Sequence, residues 1–230
     1  MKIKFVSRMM LCAAAAIAMT SCSIDDEPDY VTYPDVAYGI VANASPNSGD
    51  LYFYADGNKV NNSALNYGTA MGYYNFYTGD RQLSIKNAAG ATIVSDSIAL
   101  QPNEFFTAFA VNTFDDIELV TYHDSLVYPA SGHALVRFIN LSPDAAPISV
   151  STPSDTLTTG LEFKEATDFI SVPGALYDFT FKDTATGEVI YTANDVEVFE
   201  GRIYTIYTKG FVTPATGSND TFTAERIRNY

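Results

Sequence analysis

The chain has 230 residues, with 27 acidic side chains against 13 basic ones and a net charge of −14. A body this acidic repels phosphate backbones, whose binding proteins displace counterions with Lys and Arg, so nucleic acid is excluded as an expected partner. Two cysteines and two histidines in all leave no material for a disulfide scaffold, a thiolate metal site or a redox pair.

Taken in chain order, Lys2, Lys4 and Arg8 come first, followed by an apolar run from Met9 to Met19. That run falls short of the roughly 20 residues of a membrane-spanning helix. A basic start, a short apolar middle and small residues before a cut predict a secretory signal peptide over residues 1–21. Met19-Thr20-Ser21-Cys22 resembles the bacterial lipobox, an apolar residue and two small ones before an obligatory cysteine. The resemblance implies cleavage before Cys22 and lipidation of its thiol. One acyl chain holds a protein only marginally, whereas two or more anchor it stably. The membrane is therefore an expected partner through lipid. Removing Lys2, Lys4 and Arg8 with the leader leaves ten basic residues against 27 acidic, a net charge of −17. The other cysteine, Cys12, leaves with the leader.

Residues 22–35 carry acids, Pro28 and Pro34 and no apolar period, which predicts a flexible linker. Within it, Asp25, Asp26 and Glu27 directly behind the cysteine resemble the surface-export signal of Bacteroidetes lipoproteins. That resemblance implies an outer-membrane lipoprotein facing the medium. A solvated acidic linker is the plainer reading of the same residues.

From residue 36 onward, short alternating runs and turn signals take over. Leu83 and Ile85 alternate with Ser84 and Lys86, and Tyr177, Phe179 and Phe181 with Asp178, Thr180 and Lys182, the period of half-buried strands. Asp56-Gly57-Asn58, Thr78-Gly79-Asp80, Pro173-Gly174 and Thr186-Gly187 punctuate these runs. The expected fold class is all-β: two tandem antiparallel β-sandwich domains of Ig-like or transthyretin-like type. They are expected over 36–122 and 134–230, joined by a linker at 123–133.

The tandem reading comes from the chain itself. Tyr38–Pro46 aligns with Leu135–Pro143 through a shared Asn-x-Ser-Pro, Leu83–Lys86 with Phe179–Lys182, and Phe105–Phe109 with Ile203–Tyr207. Leu65, Tyr67, Ala70 and Tyr73 fall opposite Leu161, Phe163, Ala166 and Phe169. Val136–Ala145 resembles the opening strand and turn of a bacterial extracytoplasmic family, domain of unknown function family 4397. Asn43–Pro46, Leu51–Gly57 and the junction residues Ile117–Val120, Asp124, Pro129, Ser131, Gly132 and Ala134 resemble it too. The resemblance runs over about residues 36–212 and implies a fold rather than a chemistry. In the second copy, Ser149–Pro153 stands where the family has a strand ending in Asp-Gly. The family carries no established catalytic residues, so none is implied here.

Catalytic chemistry finds little support. A serine nucleophile wants a histidine base, and His123 and His133 both fall in the expected linker. Asp115, Asp116 and Glu118 lack the spacing of a calcium loop and read as a solvated face. No catalytic residue, metal site or cofactor is expected. Tyr73, Tyr74, Phe76 and Tyr77 crowd one hairpin, and alternation keeps some of these rings out of the core. Tyr73, Tyr74 and Tyr77 are candidate binding aromatics for a glycan or a surface protein; the plainer role is covering an interdomain surface or the flank of their own sandwich. Asp-Ser/Thr-apolar triplets place Ser97, Ser125, Thr156 and Thr184 in a pattern resembling the O-glycosylation acceptor of exported Bacteroidetes proteins. The expected function is a noncatalytic, lipid-anchored surface lipoprotein presenting two β modules for protein or glycan contact. The alternatives are a subunit or accessory of a fimbrial or envelope structure, and a glycan-processing enzyme.

Overall fold

The computed structural model describes residues 35–218 and 220–230. The leader, Cys22 and the acidic residues Asp25, Asp26 and Glu27 lie outside them. Among the described residues there is no α-helix, only strands and a single 3-10 turn at Phe114–Asp116. The first eight strands are β1 (Val36–Asn43), β2 (Leu51–Ala55), β3 (Asn58–Lys59), β4 (Ala70–Tyr77), β5 (Gly79–Asn87), β6 (Thr92–Leu100), β7 (Phe105–Val111) and β8 (Glu118–His123). The next eight are β9 (His133–Asn140), β10 (Ile148–Ser151), β11 (Thr156–Leu161), β12 (Ile170–Pro173), β13 (Ala175–Asp183), β14 (Val189–Val198), β15 (Ile203–Lys209) and β16 (Thr223–Arg228).

They build four four-stranded sheets in two sandwich-like units. The first unit has the sheets β4-β1-β7-β8 and β3-β2-β5-β6, the second β12-β9-β15-β16 and β11-β10-β13-β14. Strand for strand, the two orders are the same. Register agrees as well: Tyr38 pairs with Phe105 and Leu135 with Ile203. The expectation of a purely antiparallel sandwich is corrected at these two ladders, because β1–β7 and β9–β15 are parallel. A parallel pair needs a long crossover. The strands of the opposite sheet, which the chain builds between β1 and β7 and between β9 and β15, supply it.

Each unit has its own core. Leu51, Phe53, Leu83, Ile85 and Phe106 fill the first, and Val136, Phe138, Phe179, Phe181 and Tyr204 the second. Gly39 makes the first core possible, since a Cβ there would lie 2.5 Å from the rings of both Phe76 and Phe106. A third apolar cluster joins the units: Ile40, Ala42 and Phe109 meet Ile139, Leu141 and Tyr207. Phe109 and Tyr207 touch edge to face at 5.0 Å. This seam explains why β1 and β9 read as nearly continuous apolar runs, since both of their faces are covered.

The shared Asn-x-Ser-Pro has a physical role. Asn43 Oδ1 accepts from Ser45 N at 3.0 Å while its Nδ2 donates to Leu65 O at 3.1 Å. Asn140 repeats both bonds, to Ser142 N at 3.2 Å and Leu161 O at 3.1 Å. A buried amide thus ends the strand, turns the chain and ties down the loop before the next edge strand, which leaves no buried amide group unpaired.

Candidate functional site

The tyrosine-rich hairpin divides its rings between three environments. The alternation of β4 sets Tyr74 and Phe76 on one face and Tyr73 and Tyr77 on the other, and packing separates the latter two. Phe76 and Tyr74 face the first core. Tyr73 faces the seam, where its ring meets Phe105 edge to face at 5.3 Å. Its hydroxyl donates to Asp124 Oδ2 at 2.8 Å and accepts from Asn229 Nδ2 at 3.2 Å. Burial, with the Asp124 carboxylate adding to it, pushes the Tyr73 phenol far above its ordinary range. The structure therefore withdraws Tyr73 from the candidate binding aromatics: a ring held in the seam by two hydrogen bonds offers no face to a ligand. Tyr77 remains 67% exposed.

Tyr77 and one side of Tyr74 wall a groove of about 250 Å³ at the end of the first sandwich, closed on the other side by Asp56, Lys59 and Arg81. Two turns position these groups. Asp56 and Gly57 both have positive φ, 48° and 81°, the conformation that an Asp-Gly pair supplies to a two-residue hairpin. Gly79 at φ 89° turns β4 into β5. The polar wall is fixed by its own bonds. Arg81 donates Nη1 to Asp56 at 2.9 Å and Nε and Nη2 to Thr78 O at 3.1 and 2.8 Å. Asp56 Oδ1 also accepts from Gln82 N at 2.9 Å. That backbone bond first, then Arg81, holds the Asp56 carboxyl below its usual range. A rigid, ionised carboxylate beside exposed aromatic surface suits hydrogen bonding to hydroxyl groups.

A second constellation lies in the seam, and sequence reasoning missed it. Asp124 is buried, with its carboxylate accepting from Arg137 Nη2 at 2.6 Å, Thr107 Oγ1 at 2.7 Å, Tyr73 and Asn229 Nδ2. Arg137 donates further to His123 O at 2.8 Å and Thr205 Oγ1 at 2.9 Å, with the Phe169 ring 4.7 Å from its guanidinium carbon. A buried charge pair is tolerated here because these additional bonds satisfy both carboxylate oxygens and both terminal guanidinium nitrogens. Arg137 Nε is the one buried atom of the pair that has no partner. The one signal for it was a charged Arg137 inside the apolar run Val136–Ile139. Asp124 itself reads in sequence as part of a surface triplet.

The other candidate residues are scattered. Ser97 lies on β6, Thr156 on β11, Ser125 after β8 and Thr184 after β13, and all four are exposed. Thr184 already shares hydrogen bonds with Ser149 Oγ at 2.8 Å and Gly160 N at 3.1 Å. His123 is exposed and 3.4 Å from Glu104, while His133 Nδ1 contacts Ser131 O at 3.1 Å. Asp116 and Glu118 receive Asn112 Nδ2, and Glu118 also pairs with Lys164 at 2.7 Å. Among the described residues no group of three or more His, Cys, Asp or Glu is placed to hold a metal.

The family model described as "Domain of unknown function (DUF4397)" matches residues 37–151, half of the chain. The protein belongs to this family. The matched span runs from β1 through β10, taking in the whole first sandwich and the opening of the second. No curated protein matches the chain. Among solved structures, the chain is similar to CBMbc, a family CBM26 module from Eubacterium rectale Amy13K in complex with maltoheptaose. The identity is 11% over 81% of this chain and 95% of that one, with a TM-score of 0.27. It is also similar to a streptococcal virulence factor that binds α-glucan, at 14% identity over 74% and 92% of the two chains, TM-score 0.23. A third similar structure is a family 41 carbohydrate-binding module from streptococcal virulence factors, at 13% identity over 74% and 92%, TM-score 0.24. At these scores the neighbours do not superpose site on site, and the functional reading rests on this chain's own residues.

Proposed function

We propose that this protein is a noncatalytic surface lipoprotein whose two tandem β-sandwich copies, of Ig-like or transthyretin-like type, present a glycan-contact groove walled by Tyr74 and Tyr77. The observation that carries the reading is Tyr77, 67% exposed beside a carboxylate and a guanidinium already fixed to each other. A large ring left in water next to preorganised polar groups costs little to desolvate on binding and loses little freedom. Catalysis finds no footing in the same groove. Its carboxylate, Asp56, is committed to Arg81 and Gln82 N, where a glycosidase would use a pair about 5–9.5 Å apart.

The tandem reading is supported by the matching strand orders, the matching β1–β7 and β9–β15 registers and the repeated Asn43 and Asn140 bonds. Those matching orders also weaken the fimbrial alternative, because donor-strand assembly needs an unfilled strand position. Anchoring through Cys22, export through Asp25, Asp26 and Glu27, and an outer-membrane address rest on the sequence features of residues 1–27.

Two measurements test the proposal. Protease treatment of intact cells, with mass spectrometry of the N-terminal peptide, is expected to release the body and leave an acylated Cys22. A protected body would overturn the surface address. Glycan-array binding of the mature protein is expected to fall on Tyr77→Ala with the circular dichroism unchanged; equal binding by the variant would remove the groove from the function.

A further inference from the structure

The basic residues of the first sandwich are placed unevenly. Between residues 36 and 122 there are three, Lys59, Arg81 and Lys86, against eight acidic ones. All three lie on β3 and β5, within the sheet β3-β2-β5-β6. Arg81 is spent on Asp56 at the groove. Lys59 and Lys86 have no acidic partner among the described residues, and both belong to the face of this sheet turned away from the core.

That face has a repeating design. Leu51, Phe53, Leu83 and Ile85 point inward, so alternation sends Tyr52, Tyr54 and Lys86 outward. Tyr54 pairs across the ladder with Lys59 and Tyr52 with Lys86. Each ammonium leans to the diagonal ring: Lys59 Nζ lies 3.7 Å from the Tyr52 centroid and Lys86 Nζ 4.2 Å from that of Tyr54. Cation–π attraction seats each ammonium over a ring, with Lys59 exposed and Lys86 half-buried. Two tyrosines about 6.8 Å apart along β2, each capped by a fixed cation, make a flat platform of alternating aromatic and positive surface.

We propose that this outer face binds an acidic polysaccharide, one bearing uronate or sulfate groups. The inference rests on the glycan-contact reading and specifies the ligand class beside the same groove, with Lys59 belonging to both. The net charge of the chain does not forbid it. Screening confines what a bound anion feels to charges within about 8 Å at physiological ionic strength. The outward positions of β2, Tyr52 and Tyr54, carry no acid, and Asp56, which lines the groove with Lys59, is already paired with Arg81. An acidic protein fits this face less well, because protein hot spots are built on buried apolar anchors whereas this one offers Gln82 and two phenols.

The test is a titration of the mature protein in detergent with chondroitin sulfate, polygalacturonate, neutral dextran and poly-glutamate, at low and raised salt. Expected is saturable binding of the two acidic polysaccharides that weakens with salt. A Lys59→Gln/Lys86→Gln double variant should bind them about tenfold less tightly, and the Lys59→Arg/Lys86→Arg variant should restore binding. Unchanged circular dichroism of both variants excludes misfolding as the cause. Binding of dextran alone, indifferent to both lysines, overturns this inference while leaving the glycan reading in place. Binding of poly-glutamate as tightly as the polysaccharides overturns the ligand class. No binding of any glycan overturns both.

Discussion

The two sandwiches share a backbone plan and differ in where they keep their charge. At the seam, Asp124 and Asn229 occupy matching positions: Asp124 N donates to Phe105 O at 2.7 Å, and Asn229 N to Ile203 O at 2.8 Å. Thr107 and Thr205 match in the same way and bond Asp124 and Asn229 respectively. Opposite Ile40 of the first unit, however, the second carries Arg137. One half supplies the anion and the other the cation, so the polar lock joins unlike positions across the seam. The matching strands thus share what folding needs, the cores and strand-end asparagines, and differ where the two halves meet each other or solvent. Facing outward, the first unit gathers its cations on one sheet, whereas the second exposes Leu176 and Phe199.

The broadest way to break the comparison is alkali, which attacks the seam from both sides together. Tyr67, Tyr73, Tyr122 and Tyr207 all have phenols pushed up, mainly by burial. All four reach the opposite unit, Tyr122 donating to Lys164 O at 2.9 Å and Tyr207 to Gly68 O at 3.3 Å. A group whose folded pKa lies above its unfolded value of about 10 stabilises fully below that pH, and the contribution disappears as pH rises toward the folded value. Cooperative loss of structure is therefore expected above about pH 10, with phenolate absorbance at 295 nm rising in the same step. Smooth ionisation of all the tyrosines with the fold retained would contradict the seam as described.

A narrower break is Arg137→Ile, which copies the first unit's Ile40. It leaves the buried Asp124 carboxyl without its cation, a loss expected to cost about 3–5 kcal/mol in urea denaturation. Adding Asp124→Asn, which copies Asn229, should recover most of that loss, because the remaining polar groups bond one another as neutral partners. If the double variant is no more stable than the single, the matched-position account of the lock is wrong.

Much of this architecture is legible in the residues. Phe179 and Phe181 are fully buried as their alternation requires, and Asp56-Gly57 makes the turn its chemistry predicts. The second hairpin turns without Asp-Gly, closing instead through Thr152 N to Asp155 O at 2.7 Å and Asp155 N to Thr152 Oγ1 at 3.1 Å. Local periodicity and turn chemistry were sufficient for these elements. The seam was not legible, because Tyr73 and Asp124 lie 51 positions apart, as do other partners brought together only by packing. Periodicity identifies rings and charges that cannot face their own core, without saying whether solvent or a neighbouring unit receives them. Tyr73 and Tyr77 leave β4 on the same side, yet one is locked in the seam and the other is free.

The smallest and sharpest comparison lies in the serine of the shared Asn-x-Ser-Pro. Ser142 Oγ donates to Gly210 O at 2.6 Å, fastening the strand-end turn to the segment after β15. The matching hydroxyl of Ser45 is buried without a hydrogen-bond partner. Deleting a made bond and stranding its acceptor costs roughly 1 kcal/mol or somewhat more, whereas deleting an unmade one removes a desolvation penalty. Ser142→Ala should therefore lower stability by about 1 kcal/mol in denaturant titrations, and Ser45→Ala should leave it within about 0.5 kcal/mol or raise it. Equal losses at the two sites would mean that the first hydroxyl also has a partner, and that the two turns are held alike after all.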